Sequence, residues 1–133
     1  MNILFLCVAN STRSQMAEGL AKNILGDSFT VFSAGSSPAF VHPIAIKVMA
    51  EIGIDISKQF SKPIAAIDLT KIDKIITLCA DEVCPCVASK IEREHWSLPN
   101  PVPPYGEITQ LDQFRKIRDI LVEKIKDLKA RLQ

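Results

Sequence analysis

Short, nearly continuous apolar runs alternate along this chain with stretches whose apolar residues recur every three or four positions. Residues 2–8, Asn-Ile-Leu-Phe-Leu-Cys-Val, read as a strand buried on both faces, as in a parallel sheet. Met16, Ala17, Leu20, Ala21 and Ile24 repeat at helical spacing, with Gly26 as a stop. Phe29–Ser33 reads as a second strand and Ala34-Gly35-Ser36-Ser37-Pro38 as a loop. Pro43 suits the first turn of a helix that carries Ile44, Ile46, Val48 and Met49 and ends near Gly53. A connection leads to a short helix around Lys62–Thr70 and a third strand over Lys74–Cys79. Residues 80–94 read as irregular or weakly helical, and His95–Leu98 as a short fourth strand. The proline-rich run from Asn100 to Gly106 is a loop. From Glu107 onward, Leu111, Phe114, Ile117, Ile120, Leu121, Ile125 and Leu128 mark one face of a long helix. On it Lys116, Arg118, Lys124, Lys126, Lys129 and Arg131, interspersed with acids, describe a solvated side.

Strands alternating with helices predict an α/β fold. We expect one domain over residues 1–133, with a four-stranded, mainly parallel sheet flanked by helices and a site at the carboxyl ends of the strands. Trp96 is expected to pack on the sheet, and His42, just before Pro43, to belong to helix entry.

Composition narrows the functional classes. Sixteen basic side chains face fifteen acidic ones, a net charge of +1, so neither a strongly basic nucleic-acid binder nor an acidic disordered tail is expected. The apolar runs are far too short to span a membrane. No basic segment precedes the first one, so a cytoplasmic protein without nucleic-acid or membrane partners is the expectation. Hydrophobic residues make up 47% of the chain, enough for a core without disulfide staples. Three of the four cysteines, Cys79, Cys84 and Cys86, crowd together while Cys7 stands apart, a pattern for redox or metal chemistry rather than for scaffolding. A structural zinc site would need His95 or Cys7 as a fourth ligand, and no metal site is expected.

The segment Cys7-Val-Ala-Asn10-Ser11-Thr12-Arg13-Ser14 joins the first strand to the first helix. Such a turn directs backbone N–H groups at one spot, and the helix dipole adds positive character there. A tetrahedral oxyanion fits that concavity, over Asn10, Ser11 and Thr12, with the planar fork of Arg13 gripping two of its oxygens. The same field favours a nucleophilic thiolate at Cys7, and Ser14 is near enough along the chain to donate a hydrogen bond to it.

The run from Cys7 to Gly19 resembles the anion loop shared by low-molecular-weight protein tyrosine phosphatases and thioredoxin-coupled arsenate reductases. Ser33-Ala34-Gly35, Gly53-Ile54-Asp55-Ile56-Ser57, Thr77-Leu78-Cys79 and His95-Trp96-Ser97-Leu98 resemble the reductase branch, in order, over essentially the whole chain. The resemblance implies a phosphatase-like fold and reduction of arsenate to arsenite by a thiol cascade. Cys7 attacks arsenic, Cys79 forms the first disulfide, and a third cysteine moves it outward to a reductant. The third is Cys84, which precedes Pro85, or else Cys86, because only four residues separate Cys79 from Cys84 and the family's gap is longer. No bound cofactor is implied. The reductant is an external thiol, thioredoxin or alternatively glutaredoxin with glutathione.

Two positions depart from the family pattern. Asn100-Pro101 stands where these families carry an Asp-Pro whose acid protonates the leaving oxygen, and an amide cannot do so. In some related reductases a potassium ion supports the loop, held by residues matching Asn10, Glu18 and Ser33 with an acidic fourth residue. Here the fourth position is Lys62, whose ammonium would pair with Glu18. Alternatives to reduction are phosphoester hydrolysis through Cys7 and Arg13, with arsenate or phosphate as the bound oxyanion, and an oxyanion-binding protein with impaired catalysis.

Overall fold

β1 (Asn2–Cys7) is apolar on both faces because it lies inside the sheet, between β2 (Thr30–Gly35) and β3 (Lys74–Thr77). β4 (Glu92–His95) pairs with β3 at one edge, and every pairing is parallel. The structure, a computed structural model, describes residues 1–79, 90–99, 101 and 107–132.

Alternate residues of β1 enter two cores. Ile3 and Phe5 join Met16, Leu20, Val48, Met49, Phe114, Leu121 and Ile125 beneath α1 (Arg13–Leu25), α2 (Pro43–Ala50) and α3 (Glu107–Leu132). Leu4 and Leu6 face the other way, with Ala34, Ile72 and Ile75, under Ile64, Ile67 and Leu69. Among the described residues the three α-helices therefore all cover one face. Among the described residues no helix is long and apolar enough to cross a membrane.

The expected helix around Lys62–Thr70 is instead two single 3-10 turns, Ile64–Ala66 and Leu69–Lys71. Pro63, in an extended conformation, precedes the first turn, the side chain of Asp68 accepts from Thr70 N at the start of the second, and extended residues, Ile67 and Ile72, end them. The fourth strand starts earlier than expected: it runs over Glu92–His95, which shares only His95 with the expected His95–Leu98, although Trp96 N and Leu98 N still donate to Thr77 O and Leu78 O. An edge strand carries charged residues, so an apolar criterion passes over it. Residues 92–94, expected to be irregular, are thus in the sheet, whereas 80–89 lie outside the described residues. The third strand ends at Thr77, two residues earlier than expected.

Trp96 does pack on the sheet, its ring 5.9 Å from that of Phe5. His42 caps α2 by accepting from Ile44 N at 3.1 Å. Ile120, expected on the core face of α3, is 41% exposed. Arg118 is not solvated as expected: it donates to Val48 O and Glu51 and ties α3 to α2.

Beneath β4, the buried ammonium of Lys74 lies 3.1 Å from Glu94 and 3.3 Å from Glu92. Burial alone would raise the Glu94 carboxyl, but hydrogen bonds from Trp96, Arg131 and Lys74 prevail and hold it at about 2, below its ordinary 4.5. A depressed carboxylate stabilises the fold above its unfolded value and stops doing so as pH falls through the folded one. Glu94→Gln should therefore lower the urea midpoint at pH 7, and the gap to wild type should close as pH falls from about 4.5 towards about 2. A gap independent of pH would show that the carboxylate's charge is not what stabilises.

Candidate active site

β1 delivers Cys7 to the carboxyl edge of the sheet, beside Gly35 of β2, and the chain turns through Val8–Thr12 into α1. The carbonyls of this turn are each engaged from outside. Ser37 N donates to Val8 O at 2.9 Å, Ala39 N to Ala9 O at 3.1 Å, and His42 N to Ser11 O at 3.0 Å. Ser61 Oγ donates to Asn10 O at 2.6 Å. In a planar trans peptide the N–H points opposite to the carbonyl, so the amides of residues 9–12 face the loop's concave side. Asn10 adopts a φ of 48°, a left-handed conformation that Asn tolerates better than most residues and that curls successive amides inward.

Close approach of the neighbouring strand is part of the construction. A Cβ on Gly35 would lie 2.4 Å from Val8 O and 2.9 Å from Asn10 N. Only glycine lets β2 lie against the turn in this way.

The polar side chains form a directed chain. Asn10 Oδ1 accepts from Gln15 Nε2 and from Lys62 N, both at 3.0 Å, which fixes the amide's orientation. Asn10 Nδ2 then donates to Ser14 Oγ at 2.8 Å, and Ser14 Oγ lies 2.9 Å from Cys7 Sγ. Ser14 Oγ accepts from Asn10 with one lone pair and has a proton to give; either atom of the Ser14–Cys7 pair can donate, and donation from Ser14 is what a thiolate at Cys7 requires. Arg13, 3% exposed at the first position of α1, donates from Nη1 to Leu98 O at 2.9 Å. Ser11 and Thr12 are buried in the turn.

Glu18 and Ser33 meet behind the loop, where Ser33 Oγ donates to Glu18 Oε1 and Lys62 Nζ lies 3.4 Å from the same oxygen. The supporting roles of Gln15 and Gln59 were not anticipated. Gln59 donates to Gln15 Oε1 at 2.8 Å and so aims the Gln15 amide at Asn10. Their only mark in the sequence is Gln15 itself, polar at a position that α1 buries completely.

Cys79 is buried just beyond β3. Leu78 N donates to Leu6 O, so the segments bearing Cys7 and Cys79 leave the sheet side by side. Cys79 is disulfide-bonded and Cys7 is free. A disulfide sulfur is not a thiolate ligand, which removes Cys79 from a zinc site in this state. Cys84, Cys86 and Asn100, the other expected site residues, lie outside the described residues.

Comparison with known proteins places this chain among relatives. The family model for low molecular weight phosphotyrosine protein phosphatase matches residues 2–133. An arsenate reductase from Halalkalibacterium halodurans is 46% identical over 127 residues, covering 93% of this chain and 91% of that protein. A solved arsenate reductase in the phosphate binding state superimposes with a TM-score of 0.84 at 35% identity, covering 99% of this chain and 98% of the other. A thioredoxin-dependent arsenate reductase from Corynebacterium glutamicum gives a TM-score of 0.76 at 30% identity, over 99% of this chain and 61% of that one.

Gly35→Ala tests the loop's dependence on its neighbour. Overpacking at this contact should cost about 1–3 kcal/mol of stability and displace the turn. Thermal melting and calorimetric titration with inorganic phosphate should show a folded protein with weakened binding. Undiminished phosphate affinity would mean that the close approach does not shape the concave side.

Proposed function

The chain belongs to the low molecular weight phosphotyrosine protein phosphatase family, and we propose that within it the protein is an arsenate reductase driven by a thiol-disulfide cascade. The observation that carries this reading is the pair of cysteine states. Cys7 is free in a turn built for an oxyanion, and Cys79, leaving the adjacent strand, is held in a disulfide. A phosphatase needs the first feature and has no use for the second.

Arsenate enters the concave side of residues 7–14, where amides and the Arg13 guanidinium neutralise its oxygens. Cys7 attacks arsenic and an arsenic-bound oxygen departs as water. The Cys79 thiolate then attacks the Cys7 sulfur; the pair of electrons in the sulfur–arsenic bond passes to arsenic, and arsenite leaves. Two thiols become one disulfide as arsenic(V) becomes arsenic(III). Cys84, or Cys86, attacks Cys79, frees Cys7 and leaves a disulfide between Cys79 and the resolving cysteine. Thioredoxin reduces that disulfide, so the electrons come from an external dithiol and no bound cofactor takes part. Starting from reduced thiols suits a cytoplasmic setting. The printed name of the Corynebacterium relative supports thioredoxin as reductant.

Cys7→Ser should abolish arsenite production and aryl phosphate hydrolysis together. Cys79→Ser should stop arsenite release yet leave aryl phosphate hydrolysis within about twofold, since hydrolysis uses only the Cys7 and Arg13 machinery. Equal loss of both activities in Cys79→Ser would make that residue structural. Peptide mapping of oxidised Cys84→Ser and Cys86→Ser assigns the resolving thiol: the variant that accumulates a Cys7–Cys79 bridge and is poorly reduced by thioredoxin has lost it. Phosphate binding by wild type without arsenite production would leave an oxyanion-binding protein with impaired catalysis.

Asn100 offers a separate check. Replacing it by the family's acid, Asn100→Asp, should accelerate aryl phosphate hydrolysis, with a ceiling of about 10²–10⁴-fold for a restored general acid. No acceleration would show that leaving-group protonation does not limit this site.

A further inference from the structure

Glu18 is a buried carboxylate on α1, one turn beyond the anion loop. Lys22, on the solvent side, lies 2.7 Å from its Oε2. Its Oε1 faces inward and accepts the proton of Ser33. Lys62, whose side chain is only 15% exposed, closes this inner side. Its Nζ lies 3.4 Å from Glu18 Oε1, 3.5 Å from Ser33 Oγ and 3.0 Å from Phe60 O, with the Phe60 ring centroid at 4.9 Å. An ammonium has three protons and no acceptor, and three oxygens surround this one.

A potassium ion of the kind that some related reductases hold here does not fit these residues. Asn10 Oδ1 already accepts two hydrogen bonds, and the oxygens of Glu18 and Ser33 face the Lys62 ammonium. A second cation there would meet like charge a few ångströms away.

We infer that Lys62 is a positioning residue whose ammonium does the work of a monovalent cation, holding the 60–62 segment and Glu18 against the anion loop. The connection to Cys7 is continuous. The ammonium pins residue 62, whose N–H orients Asn10 and whose carbonyl accepts from Gly35 N. Asn10 orients Ser14, and Ser14 faces Cys7. The inference rests on the reading of residues 7–14 as an oxyanion site, and oxyanion binding in this chain is then indifferent to monovalent cations.

Lys62→Ala removes the ammonium, keeps both backbone bonds and opens a small cage of oxygens. Calorimetric titration with inorganic phosphate, in potassium chloride and in choline chloride at equal ionic strength, reads the consequence. Wild type should bind phosphate equally in both salts. Lys62→Ala should bind about tenfold more weakly in choline chloride, the scale of coupling between two sites in one protein, and recover most of this in potassium chloride. Lys62→Met, which fills the space without charge, should stay weak in both. Thermal midpoints should follow the same order, a pattern that a merely space-filling lysine would not produce. Wild-type affinity of Lys62→Ala in choline chloride, or a loss that potassium does not restore, would overturn the inference. If Lys62→Ala unfolds in choline chloride, refolding in potassium supports it and failure to refold overturns it. Arsenite is not measured, so a failure of arsenate reduction leaves this result standing, and the reverse holds too.

Discussion

The architecture of the site depends on one constraint: every peptide oxygen of the turn after β1 has to find its partner outside the turn. Only then are the opposed N–H groups left to converge on an anion. Residues 37–42 supply three backbone donors, the Ser61 hydroxyl and the Gln15 amide both reach Asn10 O, and Met16 N of α1 takes Thr12 O. Because buried carbonyls without donors are costly, these segments and the turn stabilise one another. Gly35 belongs to the same constraint, since a side chain there would push β2 away from Val8 O.

Charge is handled by the same economy of pairing. Glu18 and Lys74 are both nearly inaccessible, and each meets opposite charge within hydrogen-bonding range. A buried ion pair adds little net stability over an apolar pair, but losing one partner leaves an expensive uncompensated charge. Such pairs therefore fix arrangement more than they add energy. At Glu18 the arrangement fixed is that of the loop; at Lys74 it is the seating of a charged edge strand.

The sheet's parallel order places Cys7 and Cys79. β1 and β3 are neighbours that run in the same direction, so Cys7 and the segment bearing Cys79 emerge at one edge, although seventy-odd residues separate them in sequence. Cys7 is the last residue of β1, just before the turn into α1. Cys79, which is disulfide-bonded, lies beyond a short strand that ends at Thr77.

The chain's own pattern determined the strands that are apolar on both faces, the three α-helices, and the strand–turn–helix setting of Cys7, Arg13 and Ser14. These are local features, since burial on both faces leaves an apolar run and a helix leaves its period. The pattern did not determine β4, whose Glu92–His95 run is charged because an edge strand faces water, nor the two 3-10 turns, whose Ile64 and Leu69 pack against the second core. Gln59 and Ser61 were equally illegible: a polar residue that satisfies a buried carbonyl looks, in sequence, like any surface residue. Lys62 shows the boundary most clearly. Its pairing with Glu18 was foreseeable from a family resemblance, but the three oxygens around its ammonium and its hold on Asn10 were not. They arise because the fold brings α1, β2 and the 60–62 segment together at one buried point, and only tertiary packing decides which distant polar groups meet there.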